Sequence, residues 1–220
     1  MNVRTTVLPY KDEVKVLIGQ LEGMIPKEQT QVFNTDAKKL ATTHEAPLKL
    51  NIGDRAPLFS LPNAKGELVK LADLLAQGAL VLTFYRGIWC PYCNLQLKLL
   101  QNALPQISAA GANIIAISPM NPDNSQGTVT ENELTFEVLS DVGNKVARQF
   151  TTVFKNSDEA INAMNILGYD FYSFYDDKSA ELPVSAVFVI DKSGKVIFAK
   201  SEGGDYRERV EVQEILEVLV

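Results

Sequence analysis

Two cysteines and one histidine are the scarcest reactive side chains in this 220-residue chain, and the cysteines stand together in Trp89-Cys90-Pro91-Tyr92-Cys93. A C-x-x-C spacing at the start of a helix puts both sulfurs on adjacent first-turn positions, near enough for a disulfide of acceptable geometry. That first turn offers N–H groups without partners and the positive end of the peptide dipoles, and both favour thiolate over thiol. Pro91 suits the first helical position, where no N–H is required. The thiolate is the nucleophilic form, so the pair points to redox chemistry, with Arg86 a further cation just upstream. Buried inert cysteines are the bland alternative, and the pairing at a strand-to-helix junction argues against it. A structural disulfide is disfavoured because closing so short a loop gains little and the chain reads as intracellular, with the cytoplasm as the expected compartment.

The rest of the inventory narrows the field. A structural Cys/His zinc site needs four ligands, whereas three exist and His44 lies far away in sequence. A Ser-His-Asp or Cys-His arrangement would have to recruit His44, which reads as a solvated residue outside the region where the other signals converge. Neither a structural zinc site nor a histidine-assisted nucleophile is therefore expected. A net charge of −6 and a pI near 4.9 argue against a nucleic-acid or anionic-membrane binder, which needs a basic face. No stretch approaches the roughly 18 consecutive apolar residues of a membrane span, and residues 1–10 lack the apolar region of a secretory signal.

The elements that must hold the pair follow from periodicity. Residues 79–85 are a continuous apolar run of strand length, the mark of a buried central strand, and leucines at 95, 97, 99, 100 and 104 predict a covered helix after the cysteines. Residues 113–118 and 135–139 read as strands, with a Pro/Asn/Asp-rich loop over 119–127 in which Asp123 and Asn124 serve as turn or cap residues. Helices are expected over 143–150, over 157–167 with Ser157 as N-cap, and over 212–220. Hairpins are expected around 63–66 and 192–194. Residues 1–48 read as an N-terminal helical extension, helical at Val14, Leu17, Ile18, Leu21 and Met24, broken at Pro26 and helical again over 27–43. It should pack on the main domain, residues 49–220, or on a partner chain. The aromatic segment 169–175 is read as packing or as the face of a homodimer, with a hydrophobic ligand site as the lesser alternative. Strands interleaved with helices and ending in a hairpin plus helix indicate an α/β domain with a central mixed β-sheet.

Phe84-Tyr85-Arg86-Gly87-Ile88-Trp89-Cys90-Pro91-Tyr92-Cys93 resembles the active-site turn of the thioredoxin superfamily. Ile52-Gly53-Asp54-Arg55-Ala56-Pro57-Leu58-Phe59-Ser60-Leu61 resembles the opening G-D-x-A-P-x-F-x-L of the peroxiredoxin, or alkyl hydroperoxide reductase/thiol-specific antioxidant, family. Ile117-Ser118, Leu139-Ser140-Asp141, Val187-Phe188-Val189-Ile190-Asp191 and Arg209 extend that resemblance over about residues 50–220. It implies a thioredoxin-like fold and a thiol-dependent peroxidase acting on hydrogen peroxide or organic hydroperoxides. Thioredoxin or a glutaredoxin-like dithiol would be the reductant, and no metal or other cofactor would be required.

The departures define the alternatives. In the family pattern P-x-x-x-T/S-x-x-C, Arg86 stands where proline is usual, Cys90 where threonine or serine is usual, and Cys93 falls on the peroxidatic position. The thioredoxin alignment instead makes Cys90 the nucleophile and Cys93 the resolving thiol, which implies a protein disulfide oxidoreductase. A redox sensor that changes a partner surface is a third, non-enzymatic reading. Ser185 occupies the site where thioredoxin-like reductases carry a cis-proline. A cis bond without proline costs about 3 kcal/mol, so a trans bond is expected there. The resemblance gives Cys93, Cys90 and Arg209 as catalytic residues, Arg86 is added as the nearby cation, and Tyr85, Trp89, Pro91, Tyr92 and Ser185 are expected on the substrate side. The alternative for Arg209 is an exposed arginine beside Glu208 and Glu211.

Overall fold

A computed structural model describes residues 8–219. Residues 1–7 of the expected leader-free start, and Val220 at the end of the expected last helix, lie outside them. In chain order the elements are α1 (Tyr10–Met24), α2 (Lys27–Thr43), β1 (Ser60–Pro62), β2 (Leu68–Lys70), α3 (Leu71–Gln77), β3 (Ala79–Phe84) and α4 (Pro91–Ala109). There follow β4 (Ala112–Ser118), α5 (Pro122–Glu131), β5 (Glu137–Ser140), α6 (Ala147–Phe150), β6 (Val153–Lys155) and α7 (Asp158–Ile166). A 3-10 turn (Phe171–Phe174), β7 (Glu181–Pro183), β8 (Ala186–Ile190), β9 (Val196–Lys200) and α8 (Val212–Leu219) complete the chain.

The main sheet has the order β5-β4-β3-β8-β9, parallel on the β3–β4–β5 side and antiparallel across β3–β8–β9. The apolar run sits at its centre, paired on both edges and covered on both faces. Because successive side chains of a strand point to opposite faces, each strand divides its residues between two cores. Leu80, Leu82 and Phe84 join Ile115, Ile117, Phe188 and Ile190 on one face, under α3 and α6. Val81, Tyr85, Ala116, Val187 and Val189 line the other, under α4 and the N-terminal helices.

Both helices of the extension form, separated at Pro26, and they pack on the main domain. Tyr10 and Val14 of α1 and Ala37 and Leu40 of α2 are buried in the same core as the two cysteines. The Tyr10 hydroxyl donates to the Arg207 carbonyl at 2.7 Å, and the Tyr206 hydroxyl donates to the Phe33 carbonyl at 2.6 Å. At Gly204 a Cβ would lie 2.1 Å from the Leu40 carbonyl oxygen, so only glycine lets the end of α2 approach this closely.

Three expectations are corrected. The loop over 119–127 is in part a helix: Asn121 caps α5 by accepting from the Asn124 N–H, Pro122 takes the first position, and Asp123 and Asn124 lie inside the first turn. Residues enriched in loops are also those that start helices. The helix over 143–150 shrinks to Ala147–Phe150, because Gly143 and Asn144 adopt left-handed backbone and hold a turn before it. His44 is half-buried rather than solvated, its ring 5.6 Å from that of Phe154. Ser157 caps α7 as expected, accepting from the Ala160 N–H.

Candidate active site

β3 delivers the chain into a turn, residues 85–90, that hands over to α4 with Cys90 as N-cap residue and Pro91 in the first turn. The turn is fixed by side chains from two directions. The Tyr175 hydroxyl donates to the Arg86 carbonyl at 2.9 Å and accepts from the Trp89 indole N–H at 2.8 Å. Asn94 of α4 reaches back to the Ile88 carbonyl at 2.6 Å. Gly87 is required by this arrangement, since a Cβ there would sit 2.5 Å from the Trp89 indole nitrogen.

Both sulfurs are buried, Cys93 at 0% exposure and Cys90 at 1%. Arg209 arrives from a loop 116 residues away in sequence and donates from Nη2 to Cys93 Sγ at 3.2 Å. It is buried rather than an exposed surface arginine, and its Nη1 is held by the Tyr206 and Glu208 carbonyls. The Arg86 guanidinium stacks over the Tyr206 ring at 4.0 Å and the Trp89 ring at 4.8 Å. Among the described residues, neither guanidinium pairs with a carboxylate.

This setting separates the two thiols. Burial pushes Cys93 upward, but the hydrogen bond from Cys90, the Arg209 cation, the Arg86 backbone N–H and the Arg86 cation together hold it well below the ordinary thiol range. Cys90 is pushed well above that range by burial, by its hydrogen bond to Cys93 and by the negative Cys93; Arg86 and Arg209 offset this only in part. The setting therefore favours the thiolate form at Cys93 over Cys90.

Cys90 and Arg86 line a cavity of about 630 Å³, together with Trp89, Pro91 and Tyr92. Tyr85 and Ser185 are not among its lining residues. Tyr85 is wholly buried with its hydroxyl toward Thr128, and the Ser185 carbonyl accepts from Ser201 while its own hydroxyl is buried without a partner. No cis peptide bond occurs among the described residues, so the bond at Ser185 is trans. Of the aromatic segment, Phe171 and Tyr175 are core, which is the packing alternative, while Tyr169 and Phe174 reach the cavity. Sequence reasoning missed Tyr206, Tyr175 and Tyr10 as supports of the two arginines and the turn. Only Tyr175 carried a signal, through its aromatic cluster.

A Mycobacterium tuberculosis protein bearing a peroxiredoxin name is 29% identical over 152 residues, covering 69% of this chain and 85% of its own. Peroxiredoxin Bcp of Escherichia coli is 36% identical over 101 residues, covering 46% of this chain and 64% of its own. Among solved structures, peroxidoxin BcpB from Mycobacterium tuberculosis superposes with a TM-score of 0.61 at 21% identity, over 77% of this chain and 96% of that one, a likeness of fold. The profile of the AhpC/TSA family matches residues 52–199, a span that holds the central strand, the fixed turn and both thiols. With more than half its length matched and the thiolate turn at the heart of the match, the chain belongs to the AhpC/TSA family.

Proposed function

We propose that the chain is a thiol-dependent peroxidase in which Cys93 attacks the peroxide and Cys90 resolves the product. The observation that carries this is the Arg209 Nη2 to Cys93 Sγ contact at 3.2 Å, which places a buried cation on the sulfur that lies at the family's peroxidatic position. The Cys93 thiolate attacks one peroxide oxygen and the O–O bond breaks. The departing alkoxide or hydroxide, its charge stabilised by Arg209 and Arg86, takes a proton and leaves as alcohol or water. Cys93 is left as a sulfenic acid. The Cys90 sulfur then attacks Cys93, an S–S bond forms, and water leaves. A dithiol such as thioredoxin or a glutaredoxin-like protein restores both thiols by exchange and is itself oxidised to the disulfide. The cytoplasm, where such reductants are kept reduced, is the compartment proposed.

Stopped-flow Trp89 fluorescence of the reduced protein with hydrogen peroxide tests the assignment, because the indole adjoins the pair. Fast oxidation in Cys90→Ser and silence in Cys93→Ser is the expected result. Reaction no faster than that of a free thiol in wild type and both variants overturns it. One observation favours a second reading, disulfide exchange with Cys90 attacking: Cys90 is the sulfur that lines the cavity. That reading expects Cys93→Ser, not Cys90→Ser, to form a mixed disulfide with a protein disulfide substrate.

A further inference from the structure

The cavity beside the cysteines is far larger than hydrogen peroxide needs. At about 630 Å³ it lies in the range of sites for organic small molecules and holds roughly twenty times the ~30 Å³ share of a water molecule. Its walls are mainly apolar and come from several segments, among them the turn at the cysteines, α7 and the extension. Leu21, Met24 and Phe33 belong to the extension, outside the residues 52–199 that match the family; Met164 and Leu167 face them from α7 and the residue after it.

Two polar side chains on this cavity are buried and incompletely paired. Asn156 lines it at 1% exposure, and neither atom of its side-chain amide has a hydrogen-bond partner. Arg86, also lining it, has a buried Nε without a partner. A buried amide left unpaired is unfavourable, and a ligand that both donates and accepts would satisfy it. Glu131, which is exposed, is the one carboxylate on the lining, and Arg86 is the one cation.

Resting on the peroxidase reading, we propose that the extension builds a subsite for the apolar body of an organic hydroperoxide. Its alkyl or aryl group lies against Leu21, Met24 and Phe33, and its –OOH end meets Arg86 and Asn156 on the way to Cys93. A hydroperoxide supplies one O–H donor and two acceptor oxygens, which match an amide and a guanidinium. The extension is then a selectivity element carried by this chain in addition to the family domain.

The test uses the full chain in reduced form. Second-order oxidation rate constants are measured by Trp89 fluorescence with cumene hydroperoxide and with hydrogen peroxide, for wild type and for Met24→Glu. Met24 is 79% exposed, so a charge there is compatible with folding and enters the apolar wall. The ratio of the cumene to the hydrogen peroxide rate constant should fall at least tenfold in the variant. The second readout is a titration with cumyl alcohol, the reduced product, which cannot oxidise the thiols. A saturable Trp89 response in wild type, weakened in Met24→Glu, is expected. A ratio changed by less than twofold, or no saturable response to cumyl alcohol, overturns the subsite. If wild type consumes neither peroxide faster than a free thiol, the peroxidase reading fails. The alcohol titration then still decides whether the cavity binds an apolar body.

Discussion

The two faces of the central sheet are built from alternate residues of the same strands, yet they do different work. On one, Phe84, Phe150 and Phe188 pack with ring centroids 5.3–6.3 Å apart, surrounded by Leu80, Leu82, Ile115, Ile117 and Ile190. On the other, the apolar packing encloses two sulfurs and two arginines, Arg86 and Arg209, each 4% exposed and each with an Nε that has no partner. Burying a guanidinium without a carboxylate is costly, and here the compensation comes from a thiolate, carbonyl oxygens and aromatic faces. The first face stabilises the fold; the second uses part of that stability to hold charge next to sulfur.

The sharpest way to test this division is Cys93→Ser, which removes the anion on the charged face. Peroxide-dependent oxidation should disappear altogether, as read by Trp89 fluorescence. On the opposite face, Phe150→Ala should lower stability by about 3–5 kcal/mol in a urea melt, because it opens a cavity among three rings. The folded fraction should keep its oxidation rate constant. A large loss of rate in this variant would show that the two faces are not separable.

Arg209→Met should reduce the rate constant by about 10²–10³-fold, since the cation acts both on the thiolate and on the departing oxygen. It also gives the pH test. Cys93 is held well below the ordinary thiol range, so wild-type oxidation should fall on acidification through that depressed pKa, at lower pH than for an ordinary thiol. Without Arg209 the falling limb should move to higher pH; a limb that stays in place would remove Arg209 from the thiolate's support. The smallest effect is expected for Tyr10→Phe, which deletes one hydrogen bond from the extension to the loop carrying Arg209. It should lower stability by about 1 kcal/mol and raise the Cys93 pKa slightly, as followed by thiolate absorbance near 240 nm.

Much of the frame was legible locally. The run at 79–85 marked the central strand, alternation divided its side chains between faces, Ser157 announced α7, and Pro91 after Cys90 announced the start of α4. These signals depend on period, caps and backbone restriction, which act within a few residues. Asn121-Pro122 was misread because the same pair of residue types begins loops and helices, and only the chain that follows separates the two.

The sequence by itself determined that the chemistry had to be that of two thiols: no other nucleophile or ligand set was present in sufficient number, and both thiols sat at a helix start. It could not rank them, because the helix dipole acts on Cys90 and Cys93 almost equally. The tertiary structure distinguishes their surroundings by bringing Arg209 from 116 residues away onto Cys93 Sγ and leaving Cys90 at the cavity wall. It also placed Leu21, Met24 and Phe33 opposite α7 to close that cavity. Charge placement and cavity shape depend on which distant segments pack together, and that is settled by burial of the whole chain rather than by any local spacing.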